Sequence, residues 1–155
     1  MSNSDVKAAT GANKNELTET RIHSIEELLE FDDWDDRKVV LEATGERPNV
    51  WRIPDKRKVI EIKGKCNFEI DGTDVFIYGH PIVLKDCHDV TLRNITARLG
   101  SIGFDRGDVY EALLVEKCTN VKVHHCQFAW GWDETVTVVN SKEVAFVSCI
   151  ISDAL

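Results

Sequence analysis

Proline is nearly absent from this sequence, with three in 155 residues, and glycine is sparse at nine. This excludes collagen-like repeats and proline-rich linkers and leaves long stretches open to regular structure. A basic excess is also missing. Twenty-seven acidic residues against 19 basic ones give a net charge of -8, the wrong sign for the field that non-specific nucleic-acid or anionic-membrane binding uses. No apolar run approaches the roughly 18 residues of a membrane span, and the opening stretch MSNSDVKAATGANKNELTET lacks the apolar centre of a secretory leader. The chain is therefore expected to use neither nucleic acid nor membrane as a partner and to be neither exported nor membrane-anchored. Paired cysteine motifs are absent too. Cys66, Cys87, Cys118, Cys126 and Cys149 are odd in number and contain no C-x-x-C, so neither a zinc site nor a complete disulfide framework is indicated, and buried thiols are expected.

What is present is the composition of one folded domain, 43% apolar and 30% charged. Residues 1–20 show no periodicity and read as a flexible tail, leaving 21–155 as the domain. Ser24-Ile25-Glu26-Glu27 is a capping box ahead of Leu28, Leu29 and Phe31, which predicts a short amphipathic helix. Seven acids between Glu26 and Asp36 read as a solvated face. From Arg37 onward helical periodicity stops and short strand-like runs follow: KVVLEA, NVWRI, KVIEIKG, NFEIDG, DVFIYG, PIVLKD, DVTLRNI, EALLVEK, NVKVHH, ETVTVVN and EVAFVSCII.

These runs repeat. Four first members end at Ile62, Leu84, Val115 and Val138, and four second members begin at Phe68, Val90, Val121 and Val144, six residues later each time. Successive pairs advance by 22, 31 and 23 residues, a coil of about 22 with one excursion at LGSIGFDRGDV. This is the period of a parallel β-solenoid, in which each coil buries its apolar face only by stacking on its neighbours about 4.8 Å away. The register sends Phe68, Val90, Val121 and Val144 inward and Glu69, Thr91, Lys122 and Ala145 outward. It stacks Ile95, Cys126 and Cys149 at one position and Cys87, Cys118 and Ser141 at another, as core or turn residues, with a Cys126–Cys149 disulfide as an oxidised alternative.

Coil stacking also collects carboxylates. Glu111 lies ten residues before Val121 and Glu134 ten before Val144, with Asp133 adjacent and Asp108 nearby. Like charges so close need a cation or a shared proton, and such oxygen ligands suit calcium; the other reading is an exposed acidic rim with its side chains splayed. Trp130 and Trp132 flank Gly131, where an indole can stack on a sugar ring or simply pack in the turn. Asn94-Ile95-Thr96 is a sequon, read as a turn asparagine bonded to backbone.

The ordered stretch DVTLRNITARLG followed by DVYEALLVEKCTNVKVHHCQFAWGWDETVTVVNSKEVAFVSCIISDAL resembles the pectate lyases, over about residues 58–155. Its densest pieces are HHCQFAWGWDE and SCIISDAL. The resemblance implies an all-β, right-handed parallel β-helix with a short N-terminal capping helix, acting on acidic polysaccharide with Ca2+. It implies Glu111 and Asp133 as metal ligands, joined here by Glu134, and a turn-ordering role for the matching His125; Trp130, Trp132 and His125 stand as the substrate-binding candidates of this sequence. His125 can serve general acid–base work or order a turn. Departures are specific: the family's Asp-His pair is His124-His125, and a later ligand Asp aligns near Thr137. The implied chemistry is β-elimination, with calcium holding the uronate carboxylate and an arginine removing the C5 proton. That arginine belongs to coils after the S-D-A-L segment, so no residue up to Leu155 matches it. Arg93, Arg106 and Lys122 lie off its position and read as surface charge. Weak or absent catalysis is expected, with a non-catalytic β-helix module, whether carbohydrate-binding or part of a viral or cell-surface structure, as the alternative. A gene split or truncated ahead of further coils is a third reading. A last coil open at Leu155 would pair with another copy or partner chain.

Overall fold

Strands follow one another so closely after Arg37 that the chain turns a corner every few residues, and three parallel sheets result. The computed structural model describes residues 16–45, 49–53, 58–73, 75–101 and 109–154. Among them lie β1 (Thr18–Ile22), α1 (Ile25–Glu30), β2 (Arg37–Leu41), β3 (Val50–Trp51), β4 (Ile60–Lys63), β5 (Cys66–Asp71), β6 (Phe76–Tyr78) and β7 (Ile82–Lys85). Then come β8 (His88–Arg93), β9 (Thr96–Arg98), β10 (Leu113–Glu116), β11 (Thr119–His124), β12 (Gln127–Ala129), β13 (Val136–Val139), β14 (Lys142–Val147) and β15 (Ile150–Ser152).

The first sheet is ordered β4-β7-β10-β13, the second β1-β2-β5-β8-β11-β14 and the third β3-β6-β9-β12-β15. From β4 onward every third strand returns to the same sheet, so each circuit lies on the one before. The register is the one the spacing predicts: Ile62 pairs with Leu84, Leu84 with Val115 and Val115 with Val138 in the first sheet. Phe68 pairs with Val90, Val90 with Val121 and Val121 with Val144 in the second. The third sheet is the addition. β9, β12 and β15 are short and continue directly from longer strands, and EVAFVSCII, read as one run, is broken by a corner at Ser148 (φ 54°).

Corners between first and second sheets repeat in length and conformation, and those between second and third do so from β8 onward, whereas β5 reaches β6 through 72–75. Gly64, Asp86, Lys117 and Asn140 each follow a first-sheet strand with φ between 52° and 66°, and Asn94, His125 and Ser148 each follow a second-sheet strand with φ between 52° and 55°. The left-handed region costs a non-glycine residue roughly 1–2 kcal/mol. Asn and Asp tolerate it best, and at these corners stacking must supply the difference. Asn67, Asp89, Asn120 and Glu143 form a further left-handed row inside the second sheet, where Asn67 donates its amide to Asp36 (2.7 Å) and Asn120 to Asp89. Asn94, expected to bond backbone, instead donates to the side chains of Asp71 and Thr73, both at 3.0 Å.

Directly after five of these corners sits a stacked thiol or hydroxyl, whereas Lys65 follows Gly64 and Ile95 follows Asn94. Cys87 donates to Ile62 O (3.3 Å), Ser141 to Val115 O (3.3 Å) and Cys149 to Val123 O (3.3 Å), each reaching a carbonyl of the preceding circuit. All five thiols are free, with Cys87, Cys118 and Cys126 buried. Burial pushes the Cys126 thiol up to about 11, and hydrogen bonding to Cys118 with burial raises Cys87 further.

At the N-terminal end, part of the stretch expected as tail is strand: Thr18–Thr20 belong to β1, paired with β2, while residues 1–15 lie outside the described residues. The capping box forms with one change. Ser24 accepts the Glu27 amide at 3.1 Å, but the Glu27 carboxylate accepts from His23 rather than Ser24 (2.7 Å). Ile25 and Leu28 of α1 are buried, and Trp34 is packed between Phe31 and Phe68. Asp35 accepts the Cys66 amide at 2.6 Å, so two acids of the acidic segment, Asp35 and Asp36, hold structure.

Two outcomes follow. Alkylation of the native protein, mapped by mass spectrometry, should label the half-buried Cys66 and Cys149 and spare Cys87, Cys118 and Cys126 until global unfolding. Burial alone would raise the Asp71 carboxyl, but hydrogen bonds from Asn94 and Thr73, with the charge of Lys38, hold it below its usual value. A carboxyl depressed in this way contributes stability above its unfolded pKa of about 3.9 and loses it as pH falls through the folded value. Asn94→Ala should therefore cost about 1 kcal/mol near neutral pH and flatten the acid limb of stability measured by urea unfolding across a pH series.

Candidate functional site

The connections from the third sheet back to the first vary most in length. After β6 the chain returns through 79–81, after β9 through 99–112, and after β12 through 130–135. Corners of fixed length serve the scaffold, whereas these loops carry the chemically distinctive residues at one edge of the stack.

The 130–135 turn is sewn onto the circuit beneath it. Trp132 donates its backbone amide to Tyr110 O (2.8 Å), and Ala112 donates to Thr135 O (2.9 Å). Gly131 is required by space: a Cβ there would lie 2.1 Å from Glu134 O and 2.7 Å from Thr135 Cα. The Trp132 indole donates to Gly100 O at 2.9 Å, which fixes its plane while leaving it 36% exposed.

Pairing of Leu113 with Val136 puts Glu111 and Glu134 two residues upstream on successive circuits, as the spacing predicts. Their environments differ. Glu111 is half-buried and its carboxylate accepts the Tyr110 amide at 3.1 Å, whereas Asp133 and Glu134 are exposed. Among the described residues no three His, Cys, Asp or Glu side chains group closely enough to hold a metal; Asp108 lies outside them. The outward first-sheet row Glu61, Val83, Leu114, Thr137 offers no carboxylate between its ends, and the Thr137 hydroxyl is buried without a hydrogen-bond partner among the described residues. Calcium takes 6–8 oxygens, about; the described side chains do not complete that shell.

The substrate-binding candidates separate. His125 is exposed at the corner before β12, its backbone amide bonded to Val147 O at 3.0 Å, whereas Trp130 follows β12 at the strand's other end. His125 stands at that turn with left-handed backbone (φ 52°). Trp130 adopts φ 62°, rare for so bulky a residue and frequent where backbone is held for a purpose. Its ring stands edge-on to Tyr78, with centroids 6.2 Å apart. Arg93 and Lys122 face outward from the second sheet, Arg93 near Glu69 (3.6 Å); Arg106 lies outside the described residues.

Sequence reasoning missed Phe76, Tyr78 and Arg98, which the third sheet brings beside Trp130. The signal was available: extending the repeat into the third strands aligns Tyr78, Arg98 and Ala129 as one outward row.

No protein-family model matches the chain, and no curated protein or solved structure is significantly similar to it.

Gly131→Ala should lower stability by about 2–4 kcal/mol in chemical denaturation, because the side chain must displace backbone rather than a flexible group. Gly45→Ala, where a Cβ meets nothing within 4 Å, is the matched control and should change stability little.

Proposed function

We propose that the chain is a right-handed parallel β-helix module of pectate-lyase type that binds acidic polysaccharide along the edge where the third sheet returns to the first. The observation that carries this reading is the exposed Trp132 indole, locked in plane by its bond to Gly100 and flanked by Asp133 and Glu134. An aromatic ring held rigid by its own polar atom gives a sugar ring an apolar platform at small entropic cost. Three further points support the reading. Parallel strands joined by crossovers strongly prefer the right-handed path. The six-residue gap and the ordered motif match extend over the same circuits. Variable loops on an otherwise uniform stack are where a solenoid recognises ligands.

A net charge of -8 opposes a polyanion, so docking needs a bridging cation or local positive groups. Calcium is the cation the family resemblance implies, with Glu111, Asp133 and Glu134 as the candidate ligands. Binding is the activity proposed, since a fixed aromatic platform with flanking charged groups is an arrangement for recognition.

Calorimetric titration with polygalacturonate, with calcium and separately with a chelator, tests the reading. The intact chain should bind, and Trp132→Ala should bind about tenfold more weakly, or about 1.4 kcal/mol, with an unchanged circular dichroism spectrum. Ultraviolet absorbance from an unsaturated uronate product would instead establish lyase activity. Absence of binding under both conditions would overturn the proposal.

A further inference from the structure

The outward row Tyr78, Arg98, Ala129 alternates large, charged and small. Ala129 leaves room above Arg98, and Trp130, turned back by its left-handed backbone, lies across it. The Arg98 guanidinium carbon is 4.8 Å from the Trp130 ring centre and 5.3 Å from that of Phe76. Phe76 is in turn 6.2 Å from Tyr78, which meets Trp130 edge-on. The arginine is therefore held between two aromatic rings on the outer face of the third sheet.

Cation–π contact uses the faces of a guanidinium, while its five N–H donors lie in the plane and remain directed outward. Among the described residues the Arg98 guanidinium has no ion pair or side-chain hydrogen bond, although the chain carries eight more acidic than basic residues. Half-buried between rings and without a carboxylate partner among the described residues, it differs from Arg21, Arg37 and Arg93, each of which pairs with an acid. A planar fork already fixed in orientation loses little entropy on gripping a carboxylate in bidentate fashion.

We propose that Arg98, framed by Phe76, Tyr78 and Trp130, is a calcium-independent clamp for the carboxylate of a sugar-acid unit, with the aromatic edges contacting the sugar's apolar body. The clamp's geometry stands on its own; the identity of its ligand as a sugar acid rests on the acidic-polysaccharide reading above. It places a positive contact on the third sheet, separate from the carboxylates at Glu111, Asp133 and Glu134, so that a strand of polymer meets the module at an anionic and a cationic position.

The full chain should be titrated with polygalacturonate in chelator, alongside Arg98→Gln and Arg98→Lys, with thermal melting to check folding. Wild type should bind without calcium, Arg98→Gln should weaken binding at least about tenfold, and Arg98→Lys should recover little of it, because a lysine keeps charge but lacks the planar fork. Fully methyl-esterified polygalacturonate should bind as weakly as the Gln variant. Equal binding by wild type and Arg98→Gln, full recovery by Lys, or equal binding of the esterified polymer would each overturn the clamp. Binding only with calcium would overturn it while leaving the polysaccharide reading intact. No binding under any condition would overturn both.

Discussion

Stacking of circuits is the constraint on which everything else in this molecule depends. A strand of three to six residues cannot bury its apolar side or satisfy its backbone alone, so each circuit requires one on either side. The inward row shows this directly: Phe68, Val90 and Val121 are 0–1% exposed, whereas Val144, in the last strand of that row, is only partly buried against the core. The same requirement fixes the corners. Lys117, His125 and Ser148 accept left-handed backbone where the residue above or below does the same. Cysteines serve this economy of space. A thiol is small enough to fit behind the corner and polar enough to reach a carbonyl of the preceding circuit, and Ser141 does the same, while Ile95 fills its corner with apolar bulk.

Much of this order was legible in the sequence, for a definite reason. The first and second sheets are built from strands of four to six residues with alternating apolar positions, so their pairing could be read from Ile62, Leu84, Val115 and Val138 and from Phe68, Val90, Val121 and Val144. The third sheet escaped because Thr96–Arg98, Gln127–Ala129 and Ile150–Ser152 are too short to show alternation and share their inward residues, Ala97, Phe128 and Ile151, with no common size. The start of β1 also escaped, since Thr18-Glu19-Thr20 carries no apolar residue and owes its strand to pairing with β2. Among the candidate site residues, the stacking of Glu111 and Glu134 followed from spacing, whereas the distance between His125 and Trp130 did not. Five residues suggest proximity until the corner and the strand between them are seen.

Function in such a fold sits where the repeat is relaxed. The corners between the first and second sheets keep one length, but the returns from the third sheet do not, and there the chain places Trp130, Trp132, Asp133 and Glu134, close to Arg98 of β9. Aromatic platforms and charged groups at one edge of a rigid stack suit an extended polymer better than a small molecule, since a ligand can run across successive circuits at about 4.8 Å per step. On the function proposed above, net negative charge would act as a filter, a polyanion being held only where a cation or the Arg98 fork offsets the repulsion.

The stacking itself is best tested by nuclear Overhauser contacts between backbone protons in isotope-labelled protein. Val121 should show parallel cross-strand contacts to both Val90 and Val144, and Val115 to both Leu84 and Val138. Antiparallel contacts, or contacts that join these residues to other strands, would contradict the circuit-over-circuit register and, with it, the site built on its edge.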